Sequence, residues 1–154
     1  EEKEKWKWEK LKKEVGVKAH ILLVEDDVFL ANIYRTKFEM EGFKISTADN
    51  GETGLVEVKK KKPDIILLDV LMPKMDGFAV LEKLRADEET RNIPVILLTN
   101  LGQKDDVDKG LEMGAVGYLI KAHFKPSEVV DKVKEVLKIE WKHAKCERLR
   151  KCEI

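Results

Sequence analysis

Cysteine is scarce in this chain of 154 residues, which has only Cys146 and Cys152, both close to the C-terminus. Six residues apart on a helix puts them on different faces, so no internal disulfide is expected, and a reduced, cytoplasmic setting is the plain expectation. Net charge is lacking too. The 30 basic and 30 acidic residues cancel, so gross charge offers no argument for a nucleic-acid partner or a membrane surface. Long apolar runs are missing as well. None approaches the ~20 residues needed to span a bilayer, and the charged opening stretch has no apolar segment of the kind a signal peptide carries.

What is present reads as a globule. Charged residues make up 39% of the chain and hydrophobic ones 43%, unlike a disordered polypeptide. The charges are unevenly spread: residues 20–139 hold 22 acids against 18 Lys and Arg, and both flanks lean basic. Within that acidic stretch, five short apolar runs recur: His20 to Val24, Phe43 to Thr47, Asp64 to Leu68, Pro94 to Leu98 and Val116 to Ile120. Four are nearly continuous, as expected for parallel strands covered on both faces. The second alternates, with Phe43, Ile45 and Thr47 against Lys44 and Ser46, and is expected at a sheet edge.

Helical patterns fill the intervals. Leu30, Ile33, Tyr34 and Phe38 share one face of the first, which Gly42 can close. Phe78, Leu81 and Leu84 do so after the third run, with Asp76 as N-cap. Pro126, then Val129, Val130, Val133, Val136 and Leu137, mark the last. Strand and helix alternating five times predicts an α/β fold, a doubly wound sheet with right-handed crossovers. Ligands of such sheets bind beyond the carboxyl ends of the strands.

Chemistry-bearing residues stand at those ends. The first strand finishes with Glu25, Asp26 and Asp27, the third with Asp69, the fourth with Thr99 and the fifth with Lys121. Each alone has an ordinary reading, as a helix cap, a turn former or a solvated lysine. Together they describe a pocket. Clustered carboxylates repel and resist ionisation unless a cation intervenes, and a hard divalent ion such as Mg2+ suits one or two carboxylates plus a phosphate. Lysine supplies a compact positive charge for an anionic oxygen, and threonine a hydroxyl donor. Asp69, set at the end of the apolar run in LLDVLMPKMDG, is the expected nucleophile for a phosphoryl group.

The motifs ILLVEDD, LLDVLMPKMDG, PVILLTN and GYLIK, in this order over about residues 20–139, resemble the receiver domain of bacterial two-component response regulators. The resemblance implies a flavodoxin-like five-stranded parallel sheet of order 2-1-3-4-5, the order of chemotaxis-type receivers, carried over from the family rather than read from spacing. It implies that Asp69 accepts a phosphoryl group from a sensor histidine kinase or a phosphotransfer protein. Asp26 and Asp69 would bind Mg2+ directly, with Glu25 acting through water and the backbone carbonyl of Leu71 completing the metal set. Thr99 and Tyr118 would be the switch residues, and Lys121 would pair with the phosphoryl group. The chain departs from the family pattern at Asn100, where a small residue is common, and in Lys121-Ala122-His123-Phe124-Lys125-Pro126, where the proline is delayed. Without a Lys-Pro bond the usual reason for a cis peptide is gone.

Three segments are expected: a charged helical extension over 1–18, the receiver over 19–139, and a helical extension over 140–154 that continues the last helix. Trp8, Leu11 and Val15 share a helical face, with Glu9 and Lys13 as a supporting pair, and Val130, Val133, Leu137, Trp141 and Ala144 form one stripe. The two stripes are expected to pair, within the chain or in a homodimer. Neither flank has room for a DNA-binding or catalytic output domain, so the expected function is a single-domain signalling receiver that acts through a downstream protein target and is not an enzyme in its own right. The alternative is a structural or dimerisation module with a passive receiver. A haloacid-dehalogenase-like phosphatase would want an acid where Leu71 stands, and a flavodoxin-like electron carrier would want a phosphate-cradling loop after the first strand.

Overall fold

The computed structural model describes residues 19–137. The expected extensions, their Trp8 and Trp141 stripes and both cysteines therefore lie outside the described residues. Five strands alternate with helices in chain order: β1 His20–Val24, α1 Val28–Met40, β2 Lys44–Ala48, α2 Gly51–Lys61, β3 Ile65–Leu68, α3 Gly77–Ala86, β4 Val95–Thr99, α4 Lys104–Glu112 and β5 Gly117–Ile120. A short 3-10 turn, Lys121–His123, follows β5, and the last helix, α5, occupies 126–137. The strands form one parallel sheet in the order β2-β1-β3-β4-β5, as the family resemblance implied. No described peptide bond is cis.

The apolar runs explain the layering. Side chains alternate across a strand, so a continuous run needs cover on both faces. Ile65, Ile66, Leu67 and Leu68 of β3 are all fully buried, each contributing roughly 1.5–3 kcal/mol of transfer free energy. On one face Ile21, Leu23, Ile65 and Leu67 meet Tyr34 and Phe38 of α1 and Val129, Val130 and Val133 of α5. On the other Leu22, Val24, Ile66 and Leu68 meet Val58 of α2 and Val80, Leu81 and Leu84 of α3.

Local signals set the helix starts. Asp27 caps α1 by accepting the N–H groups of Phe29 and Leu30, and Asp76 caps α3 by accepting that of Ala79. Asn50, which has no strong signature in the sequence, caps α2 through Thr53 N–H. Two details differ from expectation. Ile33 is not on the inward face of α1: Ala31, Tyr34 and Phe38 are buried there, and Ile33 is exposed. Thr47 is likewise exposed while Ala48 is buried, because β2 is an edge strand whose far end is covered on only one side.

The β3–α3 connection carries Asp69 and is closed by Gly77, whose N–H donates to the Val70 carbonyl at 2.9 Å. A Cβ at position 77 would lie 2.3 Å from the Asp69 carbonyl oxygen and 2.7 Å from the Val70 Cα. Both are backbone atoms, so the chain that presents Asp69 would have to move. Gly77→Ala is expected to lower stability by about 1–3 kcal/mol, read as a fall in the urea midpoint, and an unchanged midpoint would show that this turn has slack.

Candidate functional site

Parallel register lines up the strand ends. Val24 sits opposite Leu68, Leu68 opposite Leu97, and Thr99 opposite Ile120. The residues just beyond are held by backbone bonds that continue the ladders: Glu25 N–H donates to the Ala48 carbonyl at 2.9 Å, and Asp69 N–H to the Val24 carbonyl at 3.0 Å. Glu25, Asp26 and Asp69 thereby come together, each offering a carboxylate oxygen within 4.8 Å of the others.

The three acids are not equivalent. Glu25 and Asp69 are buried, whereas Asp26 is exposed and forms the open side of the cluster. Both Asp69 oxygens are engaged: Oδ1 accepts the Leu71 N–H at 3.2 Å, and Oδ2 accepts the Lys121 ammonium at 2.8 Å. The same ammonium donates to Glu25 Oε2. Burial pushes the Glu25 carboxyl up to about 7; its hydrogen bond from Lys121 pulls the other way, and the charge on Asp69 adds to the rise. Burial also works against the Lys121 ammonium, but hydrogen bonds to Asp69 and Glu25 outweigh it and hold its pKa above the ordinary lysine value.

Three carboxylates against one ammonium leave a surplus of negative charge in a mostly dry pocket. Oxygen donors, clustered and open to solvent on the Asp26 side, match the needs of a small hard dication. The residues present therefore fit Mg2+. They also fit the anionic phosphoryl group such an ion would accompany, since Lys121 already sits on Asp69.

Thr99 is fully buried at the end of β4. Its Oγ1 accepts the Leu101 N–H at 3.4 Å, and the carbonyl of the same Leu101 accepts the Tyr118 hydroxyl at 2.6 Å. The two expected switch residues are thus joined through one backbone unit. Sequence reasoning did not find this link, because it uses main-chain atoms that any residue would supply. Tyr118 is half-buried, with its ring against Gly110 of α4, where a Cβ would come within 3.2 Å of the ring. Leu71 places its amide on Asp69 while its side chain is exposed. His123 is exposed, on the 3-10 turn beyond Lys121.

Removing one partner of a buried ion pair leaves the other uncompensated. Lys121→Met should therefore destabilise the metal-free protein by about 3 kcal/mol, and adding Glu25→Gln should restore part of the loss. Urea unfolding of the single and double variants checks this; equal stability of Lys121→Met and the parent would show that the ammonium does not balance the acids.

Comparison with known proteins agrees with this geometry. Residues 21–134 match the family described as the response regulator receiver domain. The chain is 46% identical over 103 residues to the response regulator PleD of Caulobacter vibrioides, covering 67% of this chain and 23% of that protein. It is 38% identical over 118 residues to the DNA-binding dual master transcriptional regulator RpaA of Synechocystis sp., covering 77% of this chain and 48% of the relative. It thus spans about half the length of the first curated relatives it matches, or less. Among solved structures, the receiver domain of a Francisella response regulator superposes with a TM-score of 0.74 at 31% identity, covering 79% of this chain and 98% of that one. No described helix is long and apolar enough to cross a membrane. With the strand order, the acid cluster and the family match in agreement, this chain belongs to the response regulator receiver domains of two-component systems.

Proposed function

We propose that this receiver takes a phosphoryl group onto Asp69 from the phosphohistidine of a sensor histidine kinase or phosphotransfer protein, with Mg2+ in the acid cluster, and signals by changing what it binds. The observation that carries the reading is the Lys121 ammonium shared between Asp69 and Glu25 inside a pocket of three carboxylates. An Asp69 carboxylate oxygen forms the new P–O bond as the donor's P–N bond breaks and the leaving imidazole takes up a proton. There is little covalent chemistry for a protein to supply in such a transfer, so positioning and charge dominate. The Leu71 amide fixes one Asp69 oxygen. Lys121 is placed to stay with the phosphoryl oxygens once Asp69 has become an ester-like anhydride. Glu25, Asp26 and Asp69, with the Leu71 carbonyl, are the ligands we assign to Mg2+, which when bound would neutralise charge on the transferring group.

Thr99 and Tyr118 are assigned the readout. A Thr99 hydroxyl that turns to a phosphoryl oxygen gives up its bond from the Leu101 amide, and the Leu101 carbonyl is what holds the Tyr118 hydroxyl. The β4–α4 connection is therefore the element expected to move. Relatives of which the match covers about half include one named as DNA-binding, so we further propose that, in a polypeptide of that kind, the receiver controls a DNA-binding unit to which it is joined. The competing reading, a passive receiver in an assembly module, has no use for the paired buried charges.

Incubation with Mg2+ and a small phosphodonor is expected to add one base-labile phosphoryl group, read by intact mass. Asp69→Asn should abolish the gain and His123→Ala should leave it. Labelling that persists in Asp69→Asn would move the acceptor elsewhere.

Metal is expected to bind weakly without phosphate. Relief of carboxylate repulsion should then raise thermal stability with increasing Mg2+, logarithmically once the metal exceeds its Kd. Asp26→Ala should remove most of the Mg2+-dependent rise in Tm, and a rise that survives unchanged in the variant would place the ion at other ligands.

A further inference from the structure

The phosphoacceptor chemistry leaves one polar group of the apolar core unaccounted for, the hydroxyl of Tyr34. Tyr34 is 3% exposed, in the cluster that Leu23, Leu119 and Val130 help to form on the α1 side of the sheet. Buried tyrosine hydroxyls ordinarily find a hydrogen-bond partner. Among the described residues, the only hydrogen bond from a tyrosine hydroxyl is that of Tyr118, so the Tyr34 hydroxyl has no protein partner there. An apolar side chain would fill the same space without burying a polar group, which makes the hydroxyl the feature to explain.

Its surroundings set it at the inner side of the acid pocket. Tyr34 lies six residues after Val28, the first residue of α1, or about 9 Å along the helix. Helical side chains lean toward the helix N-terminus, and that end of α1 is capped by Asp27, two residues beyond Glu25. The same core cluster contains Leu119, two residues before Lys121, and has Phe124, three residues after it, packed against it. Burial holds the Tyr34 pKa above the ordinary tyrosine value; the Lys121 charge opposes that rise, and the charges of Glu25 and Asp69 add to it. Those three are the groups of the buried ion cluster. Lys121, for its part, carries three ammonium hydrogens and directs two of them to Glu25 and Asp69. A spare ammonium hydrogen and a spare phenol oxygen are thus left near the start of α1.

We propose that Tyr34 is a positioning residue for Lys121: its hydroxyl takes the third ammonium hydrogen through a bridging water and keeps the ammonium in the pocket as Asp69 is phosphorylated. The inference rests on the transfer to Asp69 proposed above. A water between two polar groups is nearly as good as a direct bond, and a polar recess holds one where an apolar cavity stays dry. Once Asp69 carries the phosphoryl group, Lys121 donates to a phosphoryl oxygen in place of the free carboxylate. The ammonium then turns about the fixed Tyr34 contact instead of swinging out on its flexible stem. Tyr34 touches neither the phosphodonor nor the metal, so its effect passes wholly through Lys121.

The test compares the full chain with Tyr34→Phe, which keeps the ring and deletes only the hydroxyl. NMR of the lysine ammonium groups, on the nitrogen-labelled, metal-free protein at low temperature, reads how fast their hydrogens exchange with water. The Lys121 signal is assigned by its loss in Lys121→Met. The expected result is a slowly exchanging Lys121 ammonium in the parent, severalfold faster exchange in Tyr34→Phe, and a urea midpoint close to the parent's. With Mg2+ and a small phosphodonor, Tyr34→Phe should also gain the phosphoryl group severalfold more slowly. Phe38→Leu, which trims the same core cluster without removing a polar group, should leave Lys121 exchange as it is. Unchanged exchange in Tyr34→Phe overturns the proposal, as does a Lys121 ammonium that already exchanges too fast to detect in the parent. Equal acceleration in Phe38→Leu assigns the effect to general loosening and overturns it too. Faster exchange with an unchanged labelling rate overturns the positioning role. The exchange measurement needs no phosphorylation, so a parent that takes up no phosphoryl group counts against the transfer to Asp69, while exchange still decides the Tyr34 contact.

Discussion

One ammonium group holds this domain's purpose together. Lys121 Nζ lies between two buried carboxylates that would otherwise repel each other, and it is the cation the pocket supplies from within. Burial pushes the Glu25 carboxyl up to about 7, and the charge on the neighbouring Asp69 adds to that rise. The pocket is thus poised for a second cation, and for a group carrying its own negative oxygens to draw Lys121 toward itself. A pocket already balanced would have less reason to bind either.

The sheet makes that concentration of charge tolerable. Four strands with continuous apolar runs are packed on both faces, so the elements beneath the acids are stabilised far from the polar end. Parallel register then delivers every carboxyl end to one side, and the backbone bonds from Glu25 to Ala48 and from Asp69 to Val24 fix the acids as extensions of the ladders. Gly77 completes the arrangement by allowing the following helix to begin directly against the Asp69 backbone.

Much of this was legible in the sequence because it depends on period and punctuation. Continuous apolar runs marked the parallel strands, and Asp27 and Asp76 were readable as caps from their place before amphipathic stretches. The convergence of Glu25, Asp69, Thr99 and Lys121 followed from standing at strand ends. What was not legible depends on rotation or on main-chain atoms. Ile33 fits the helical period as well as Ala31 does, and only the packing of α1 on the sheet decides which faces inward. The Asn50 cap precedes a weakly apolar helix, which hid it. Leu101 contributes an N–H and a carbonyl, neither of which has a signature in a side-chain code.

That last link bears on how a local charge change reaches a distant face. Thr99 and Tyr118 lie on adjacent strands, β4 and β5, and each is bonded to the same peptide-bearing residue, Leu101. The tyrosine ring in turn rests on Gly110, so it touches α4 where that helix has no side chain to spare. The bond to Thr99 is long at 3.4 Å and the bond to Tyr118 short at 2.6 Å. The longer contact is the one on the side of Asp69, and the shorter one lies on the side of α4. Under the proposed function, a phosphoryl oxygen competing for the Thr99 hydroxyl would displace little at first, and a shift of the Leu101 carbonyl would act on a tyrosine held by the shorter bond. Coupling of this sort needs a two-state element, and under the function proposed here the short β4–α4 connection, tied at both ends of Leu101, is the segment assigned that part.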